Sequence, residues 1–505
     1  MQDEALAGYD AYSILLTGKD HHGHFLPITF QAFNDWIAHS FVYQIIPFIK
    51  ILGLSVFSIR LSVSVLSIST IFLIIFLAQE FSGNKKFALL SSALFSLSLF
   101  SFTTSRWAIP PNTVPFYITL SLFLLFKGLN KKNSFLLFIL SGILFGLTLY
   151  TYPSVEVMIP IFLSIFLIYL FIKYRKTDNK LLKNYFFLYL IVLFLALPLV
   201  LDHLYNPQTL SNRFKMISIE NQSNNLILLY INNYFSYFTP STLFLSGETN
   251  PNRTIPGFGY ENPILGVFYY FGLFYLFFRK KNLKLIFPKL NDLNIFLVKI
   301  FIVLFPLIPS LTLPSGDFQR ASHYLPIMII ISAIGMFIFI NFINKFLKTS
   351  RILIYSIFSC VIFFYLFNEI IFIKSYFGEK YSTLTKWYFQ NGLDKVVENI
   401  QLTKGKYDKV IIDSTINQPY IYLLFYGKTD PRSFTQNDYS SFNTIDKKTN
   451  WLAVSRFRNF SFRHFTLEET AGAKLTKTIP NTSFSRYVFY EKDNILFVRF
   501  ETDFQ

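Results

Sequence analysis

The sequence predicts a polytopic α-helical membrane protein with a small extracytoplasmic α/β domain at its C-terminal end. Three observations carry that prediction. Of 505 residues, 52% are hydrophobic and only 15% charged, with 63 Phe and 31 Tyr. A soluble chain of this length does not need so much apolar surface. The apolar residues gather in ten runs able to cross a bilayer, some with help from flanking aromatics. The cations fall mostly in short loops between those runs, and their density alternates from loop to loop. The net charge of +17 would suggest nucleic acid in a soluble protein. Here it reads as membrane orientation, so the expected partner is the lipid bilayer and not nucleic acid.

In chain order, residues 1–60 form a first outer segment that begins MQDEALAGYDAYSILLTGKD. It is polar and carries no signal peptide, so the expectation is that a further membrane helix precedes it. Residues 61–375 form the membrane domain, with spans near 61–79, 87–104, 112–128, 134–151, 155–173, 185–203, 262–278, 294–312, 324–344 and 352–373. One set of loops holds Lys85-Lys86; Lys127, Lys131 and Lys132; Lys173 to Lys183; Arg279 to Lys289; and Lys345, Lys348 and Arg351. The positive-inside rule places that set in the cytoplasm and the cation-poor loops outside. The outer loop 204–261 contains LILLYINNYFSYF, an Asn-interrupted aromatic run suited to a helix at the membrane surface. The single cysteine, Cys360, lies inside an apolar run, which excludes an internal disulfide and a cysteine metal cluster.

After residue 375 the pattern changes. GLDKVVENI reads as a helix with Leu393, Val396, Val397 and Ile400 on one face. KVIID reads as a short buried strand, and YVFYEKDNILFVRF as a hairpin turning at Lys492-Asp493-Asn494. Residues 376–505 are therefore a small outer domain.

The chemistry-bearing residues sit on the predicted outer side. Asp3 and Glu4 are a carboxylate pair near the membrane, able to deprotonate a hydroxyl; the plainer reading is a solvated acidic pair. Arg60 opens the first span and suits a phosphate, or serves as an interfacial anchor. Glu156 ends an apolar run, where a carboxylate is costly unless wet or paired. Arg320 and His323 share the loop SGDFQRASHYL and offer a second phosphate contact or a helix anchor. Lys19 and Asp20 follow a glycine turn beside His21, His22 and His24. A divalent cation is the one cofactor candidate, and those histidines are where it would bind, although a loop cluster without a scaffold is weak evidence. No Walker-type glycine loop and no Rossmann fingerprint is present, which argues against a nucleotide-sugar donor.

The stretch DEALAGYDAYSILLTGKD, then HGHFLPITFQAF and IPFIKILGLSVFSIRL, resembles the first outer loop of the GT-C glycosyltransferases, in particular the bacterial dolichyl-phosphate-mannose-protein mannosyltransferase-like proteins. The resemblance continues through TTSRWAIPPNT, the outer segment FTPSTLFLSGETNPNRTIPGFGYENPILG and KYDKVIIDSTINQPYIYLLFYGKTDP. It implies that Asp3 is the catalytic residue with Glu4 as its neighbour. It also implies that Arg60, Arg106 and Arg320 meet the donor phosphate, and that Lys19, Asp10, Asn112, Glu156 and His323 are candidates for substrate binding. The sequence departs from the family where His21 replaces a Glu, where Pro110 replaces a Glu and where Glu156 replaces an Arg.

The function these readings imply is an inverting GT-C glycosyltransferase in the cell membrane. It takes a hexose or mannose-like sugar from a polyprenyl-phosphate donor to a protein, glycan or lipid acceptor at the outer face. The alternatives are a transporter or flippase for a lipid-linked glycan, which would favour broken helices in paired halves, and an inactive membrane scaffold.

Overall fold

The computed structural model describes residues 2–33, 35–38, 40–131, 134–207, 214, 217–219, 225–248, 250–346, 351–403, 405–435, 444–445 and 452–502. Lys132 and Lys348, expected in cytoplasmic loops, lie outside them, as does part of the loop 204–261. The chain divides into two compact units. One comprises residues 1–37, 41–62 and 377–505, and the other residues 38–40 and 63–376. The first outer segment and the C-terminal domain, separate in the sequence reading, are thus parts of a single unit.

In that unit the polar start is a helix. Helix α1 runs Gln2–Thr17, with Asp3 and Glu4 in its first turn, where the positive end of the helix dipole favours acids. It ends at Gly18, whose positive φ and bond from its N–H to the Ile14 carbonyl (2.8 Å) close the last turn. Small residues let it seat closely: an added Cβ at Gly8 would strike the side chains of Ile59 and Phe425. Burial along α1 runs unbroken from Glu4 to Ala11 through mostly small and polar residues, with Leu6 and Ile14 its buried large aliphatics, so its helical periodicity is faint in the sequence. Strands β1 (Thr29–Ala32) and β2 (Asp35–Ala38) pair as a ribbon. Helix α2 (Ser40–Leu52) follows, and α3 (Val56–Ser82) begins here with Arg60 in its first turns.

The C-terminal part of the same unit holds the predicted helix, Leu393–Leu402, with Leu393, Val396, Val397 and Ile400 buried. Strand β3 (Lys409–Ile412) is the predicted buried strand. A short pair, β4 (Thr444–Ile445) and β5 (Leu452–Ala453), stands apart from the main sheet. That sheet adds β6 (Arg456–Phe457), β7 (Phe460–Phe462), β8 (Lys474–Thr482), β9 (Ser485–Lys492) and β10 (Ile495–Thr502), in the order β6-β7-β3-β10-β9-β8. Strand β3 runs parallel to both β7 and β10, while β8, β9 and β10 form an antiparallel meander. The β9–β10 turn is Asp493-Asn494, both at positive φ, the geometry that matches a two-residue turn to strand twist.

The other unit is a helical bundle. Among the described residues, seven helices are long and apolar enough to cross a membrane, and Ser40–Leu52, Phe135–Leu149 and Pro263–Phe278 are shorter apolar helices. The run expected at 87–104 is broken. Helix α4 (Lys85–Ser96) and helix α5 (Leu99–Thr104) meet at Ser98, whose hydroxyl caps α5 by accepting from the Ser101 N–H. Helix α6 (Val114–Asn130) continues a short 3-10 turn at Pro110–Asn112. Helices α7 (Phe135–Leu149), α8 (Pro153–Tyr174) and α9 (Asn179–Tyr205) pack in sequence, and Leu226–Ser236 is the helix expected in the outer loop. The bundle centre is the crossing of Pro263–Phe278 with Leu325–Phe346. There Gly272 lies against the Ile331 carbonyl and Gly335 against the Phe268 carbonyl, so any side chain would part the helices.

Candidate active site

The first turns of α1 and α3 bring two predicted residues together. Arg60 donates from Nε to Glu4 Oε1 and from Nη2 to Glu4 Oε2, each at 2.9 Å. This fork-to-fork pair is the strongest geometry available to a guanidinium and a carboxylate. Glu4 is 2% exposed and Arg60 42% exposed, so the carboxylate is sealed while the guanidinium reaches the surface. Asp3, one residue earlier, is exposed. Glu4 is committed to Arg60, and Asp3 is the carboxylate of the pair that another molecule can reach.

The neighbouring candidates separate. Lys19 is exposed. Asp10 is buried, and its Oδ1 meets His21 Nδ1 at 2.5 Å and the His21 backbone N–H at 3.1 Å. Expected as a substrate contact, Asp10 is instead consumed by the loop that follows its own helix. His24 Nδ1 lies 2.9 Å from Asp20 Oδ2. Among the described residues, no group of three or more His, Cys, Asp or Glu side chains is placed to hold a metal ion.

The helical unit has its own constellation. Asp317, fully buried, faces Arg253 Nη1 at 2.8 Å and Arg320 Nε at 3.0 Å. Arg320 also donates to the Thr312 hydroxyl at 2.5 Å, and Arg253 to Gln319 Oε1 at 2.7 Å. Gln319 in turn donates to Asn112 Oδ1, and Asn112 to the Trp107 carbonyl. Tyr260 extends the network to Glu248, whose carboxyl is pushed up first by burial and then by the Asp317 charge. Arg320 is thus an internal strut, 10% exposed, and Arg253, at 22%, is the more accessible cation. Asn112 and His323 are buried as well; His323 Nε2 meets the Phe305 carbonyl at 3.2 Å. Asn112 is held by Gln319 and the Trp107 carbonyl, whereas His323 Nδ1 is buried without a hydrogen-bond partner. Glu156 is paired with His203 at 3.3 Å, which meets the cost of a carboxylate at a span end. Arg106 is exposed, with its guanidinium over the rings of Phe102 and Tyr376.

Sequence reasoning passed over Arg253, Asp317 and the Asp10–His21 pair. For Asp317 a signal existed: an acid three positions before Arg320 in a short outer loop. Arg253 and Asp317 lie 64 residues apart, so nothing local links them.

Comparison with known proteins matches this architecture to solved folds. ArnT from Cupriavidus metallidurans in the apo state superposes with a TM-score of 0.51 at 10% identity, over 84% of this chain and 80% of that one. ArnT bound to undecaprenyl phosphate gives 0.50 at 11% identity, over 85% and 80%. The archaeal oligosaccharyltransferase AglB from Archaeoglobus fulgidus, in complex with an inhibitory peptide and a dolichol-phosphate, gives 0.50 at 11% identity, over 84% and 59%. At these identities the likeness is one of fold: the chain has the fold of these membrane proteins. The model of the dolichyl-phosphate-mannose-protein mannosyltransferase family matches residues 39–205, a stretch that includes Arg60, Arg106, Asn112 and Glu156. An uncharacterized protein of Aquifex aeolicus (strain VF5) is 36% identical over 87 residues, a match spanning 17% of this chain and 17% of that relative's length.

Proposed function

We propose that this chain is a glycosyltransferase that moves a sugar from a polyprenyl-phosphate carrier to a hydroxyl-bearing acceptor (protein, glycan or lipid) at the outer membrane face, with inversion. The observation that carries the reading is the exposed Asp3 beside the Glu4–Arg60 fork. The fold supports it, since neighbours of that fold bind undecaprenyl phosphate or dolichol-phosphate. The cation alternation supports the outer placement of residues 1–60.

The chemistry divides between two groups. Asp3 accepts the acceptor's hydroxyl proton as its oxygen attacks the anomeric carbon. The bond from that carbon to the phosphate oxygen breaks, and the phosphate leaves with the electron pair. Arg60, aimed by Glu4 and half exposed, neutralises the departing charge. Arg106 and Arg253 are the other accessible cations suited to a lipid phosphate. The test is transfer from a polyprenyl-phosphate sugar in proteoliposomes. Asp3→Asn should lower turnover roughly a hundredfold or more while donor binding holds, the scale of general-base loss. Near-normal turnover in that variant would remove Asp3 from the mechanism.

A further inference from the structure

The exposed Asp3 does not stand alone at the start of α1. The turn that leaves strand β3 reaches it from the C-terminal part of the same unit. Gln2, the residue before Asp3, accepts through Oε1 from Asn417 Nδ2 at 2.7 Å. Residues 415 positions apart in the chain thus meet beside the candidate base. The helix Pro419–Tyr426, which follows that turn, packs against α1. Tyr9 donates to the Thr429 carbonyl at 2.9 Å, and Gly8 leaves room for Phe425.

The turn 413–418 is fixed from behind. The Asp413 N–H donates to the Val498 carbonyl at 2.8 Å, and buried Asp413 Oδ1 accepts from the Thr415 N–H at 2.9 Å. Thr415 Oγ1 accepts from the Phe500 N–H at 3.2 Å. Gln390 grips the same turn twice: its Nε2 donates to the Thr415 carbonyl at 2.9 Å, and its Oε1 accepts from the Asn417 N–H at 3.0 Å. Gln390 and Gln418 have φ of 46° and 48°, left-handed values that strain any residue larger than glycine and persist only where the surroundings impose them. The outcome is one exposed amide, Asn417, held against Gln2 by its Nδ2. Among the described residues nothing donates to Asn417 Oδ1, which stays open to a hydroxyl. Two tyrosines of the following helix complete the wall. The Tyr422 and Tyr426 rings lie 6.4 Å apart with 13° between their planes; Tyr422 is buried and Tyr426 partly exposed. Burial raises the Tyr422 phenol first, with neighbouring phenols, Asp3 and Glu4 adding to the push. Burial likewise raises Tyr426, helped by Asp394 and Glu4 and opposed by Arg60. Both phenols therefore lie within the field of the first turns of α1 and α3.

We propose that Asn417, aimed by Gln2 and Gln390, and the Tyr426 ring form the acceptor subsite of the transfer site, and that the acceptor they take is a neutral glycan. The proposal rests on the reading of Asp3 as the base. A side-chain amide both donates and accepts, as a sugar hydroxyl does. A tyrosine ring offers an apolar face to the C–H side of a pyranose and a polar tip to its hydroxyls. Asp3 and Asp394 are exposed acids at this wall, and their charge disfavours an anionic acceptor. Asn417 meets the residue next to Asp3, so a hydroxyl held there lies beside the group that deprotonates it.

The test uses the full chain in proteoliposomes with polyprenyl-phosphate mannose as donor. The acceptor probes are octyl mannoside with its singly deoxygenated analogues, a peptide rich in serine and threonine, and diacylglycerol. The wild type should prefer octyl mannoside and reject at least one deoxy analogue, because a site built around a hydroxyl is left unpaired by the analogue that lacks it. Asn417→Ala should raise KM for octyl mannoside roughly three- to tenfold, the loss of one neutral hydrogen bond. It should also erase the discrimination against the deoxy analogue, with kcat and the donor KM little changed. Tyr426→Ala should raise the acceptor KM in the same way. A wild type that prefers the peptide or diacylglycerol, or transfers to no probe, overturns the glycan assignment. Unchanged acceptor KM and discrimination in Asn417→Ala overturn the subsite. So does a loss confined to kcat or shared by the donor KM, since that marks a structural change. Failure of the Asp3 reading shows separately, as undiminished transfer by Asp3→Asn, while the acceptor KM of Asn417→Ala still reports on the subsite. If Asn417→Ala fails to fold, the wild-type deoxy series and Tyr426→Ala decide.

Discussion

Each unit of this molecule commits an arginine to a carboxylate, and the two constellations differ in what they leave exposed. Glu4 and Arg60 form one fork with the acid sealed and the guanidinium 42% exposed. Asp317 is sealed, Arg320 beside it is 10% exposed and Arg253 22% exposed, and the two arginines continue into a hydroxyl and an amide partner. The same residue chemistry thus serves two ends. A sealed network fixes segments that are distant in sequence. A half-open pair orients a cation toward whatever arrives from outside. Stability and activity should respond to the two in opposite proportion.

The largest stability effect belongs to Asp317. Its replacement by Ala strands the buried Arg320 and takes the carboxylate from Arg253, and breaking a buried pair from one side costs about 3–5 kcal/mol. Thermal unfolding in detergent should show the loss clearly. Asp317→Ala with an unchanged midpoint would break the comparison, because the network would then not be structural. Glu4→Gln should cost less, about 1.5–3 kcal/mol, the range for a hydrogen bond to a charged group, since Arg60 can rehydrate. Its larger consequence should be in transfer, where an unaimed Arg60 lowers turnover. A Glu4→Gln protein that unfolds as readily as Asp317→Ala, with its remaining folded fraction fully active, would reverse the assignment of roles.

How far the sequence announced these features depends on the range of the interactions. The hairpin at Asp493-Asn494 and the helix Leu393–Leu402 were legible because turn chemistry and apolar spacing are local. The membrane helices were legible by length and composition, yet the break at Ser98 was not, because a hydroxyl cap inside an apolar run leaves the hydropathy nearly unchanged. Helix α1 was read as a loop because its burial runs through small and polar residues with little apolar spacing, Gly8 among them seating closely on Ile59 and Phe425. Strand β8 was missed because KLTKTIPNT is polar and contains a proline, which an edge strand tolerates. At the candidate site, Asp3, Glu4 and Arg60 were named individually. The fork between Glu4 and Arg60, like the partnership of Asp10 with His21, depends on tertiary placement that no spacing encodes.

The smallest effect tests the exposure argument at its other limit. Arg463 and Glu469 form a two-bond fork much like that of Arg60 and Glu4, at 2.6 and 3.1 Å, but with side chains 42% and 36% exposed. Geometry alone would rank the two forks together. Exposure ranks them apart, because solvent screens both charges and the unpaired partner loses little on rehydration. Glu469→Gln should therefore cost less than about 1 kcal/mol, and added salt should shrink even that. The pH dependence has a definite sign. The bond from Arg463, with a backbone N–H from Thr466, holds the Glu469 carboxyl below the ordinary carboxylate range, a pull that solvent screening at this exposed site keeps weak. A depressed acid contributes above its ordinary value and loses that contribution as pH falls toward the folded one. Wild type and Glu469→Gln should accordingly differ slightly at neutral pH and converge as pH falls from about 4.3 through the folded value. A difference that persists at pH 2, or one at pH 7 as large as that of Glu4→Gln, would show that fork geometry and not exposure sets the strength of these pairs.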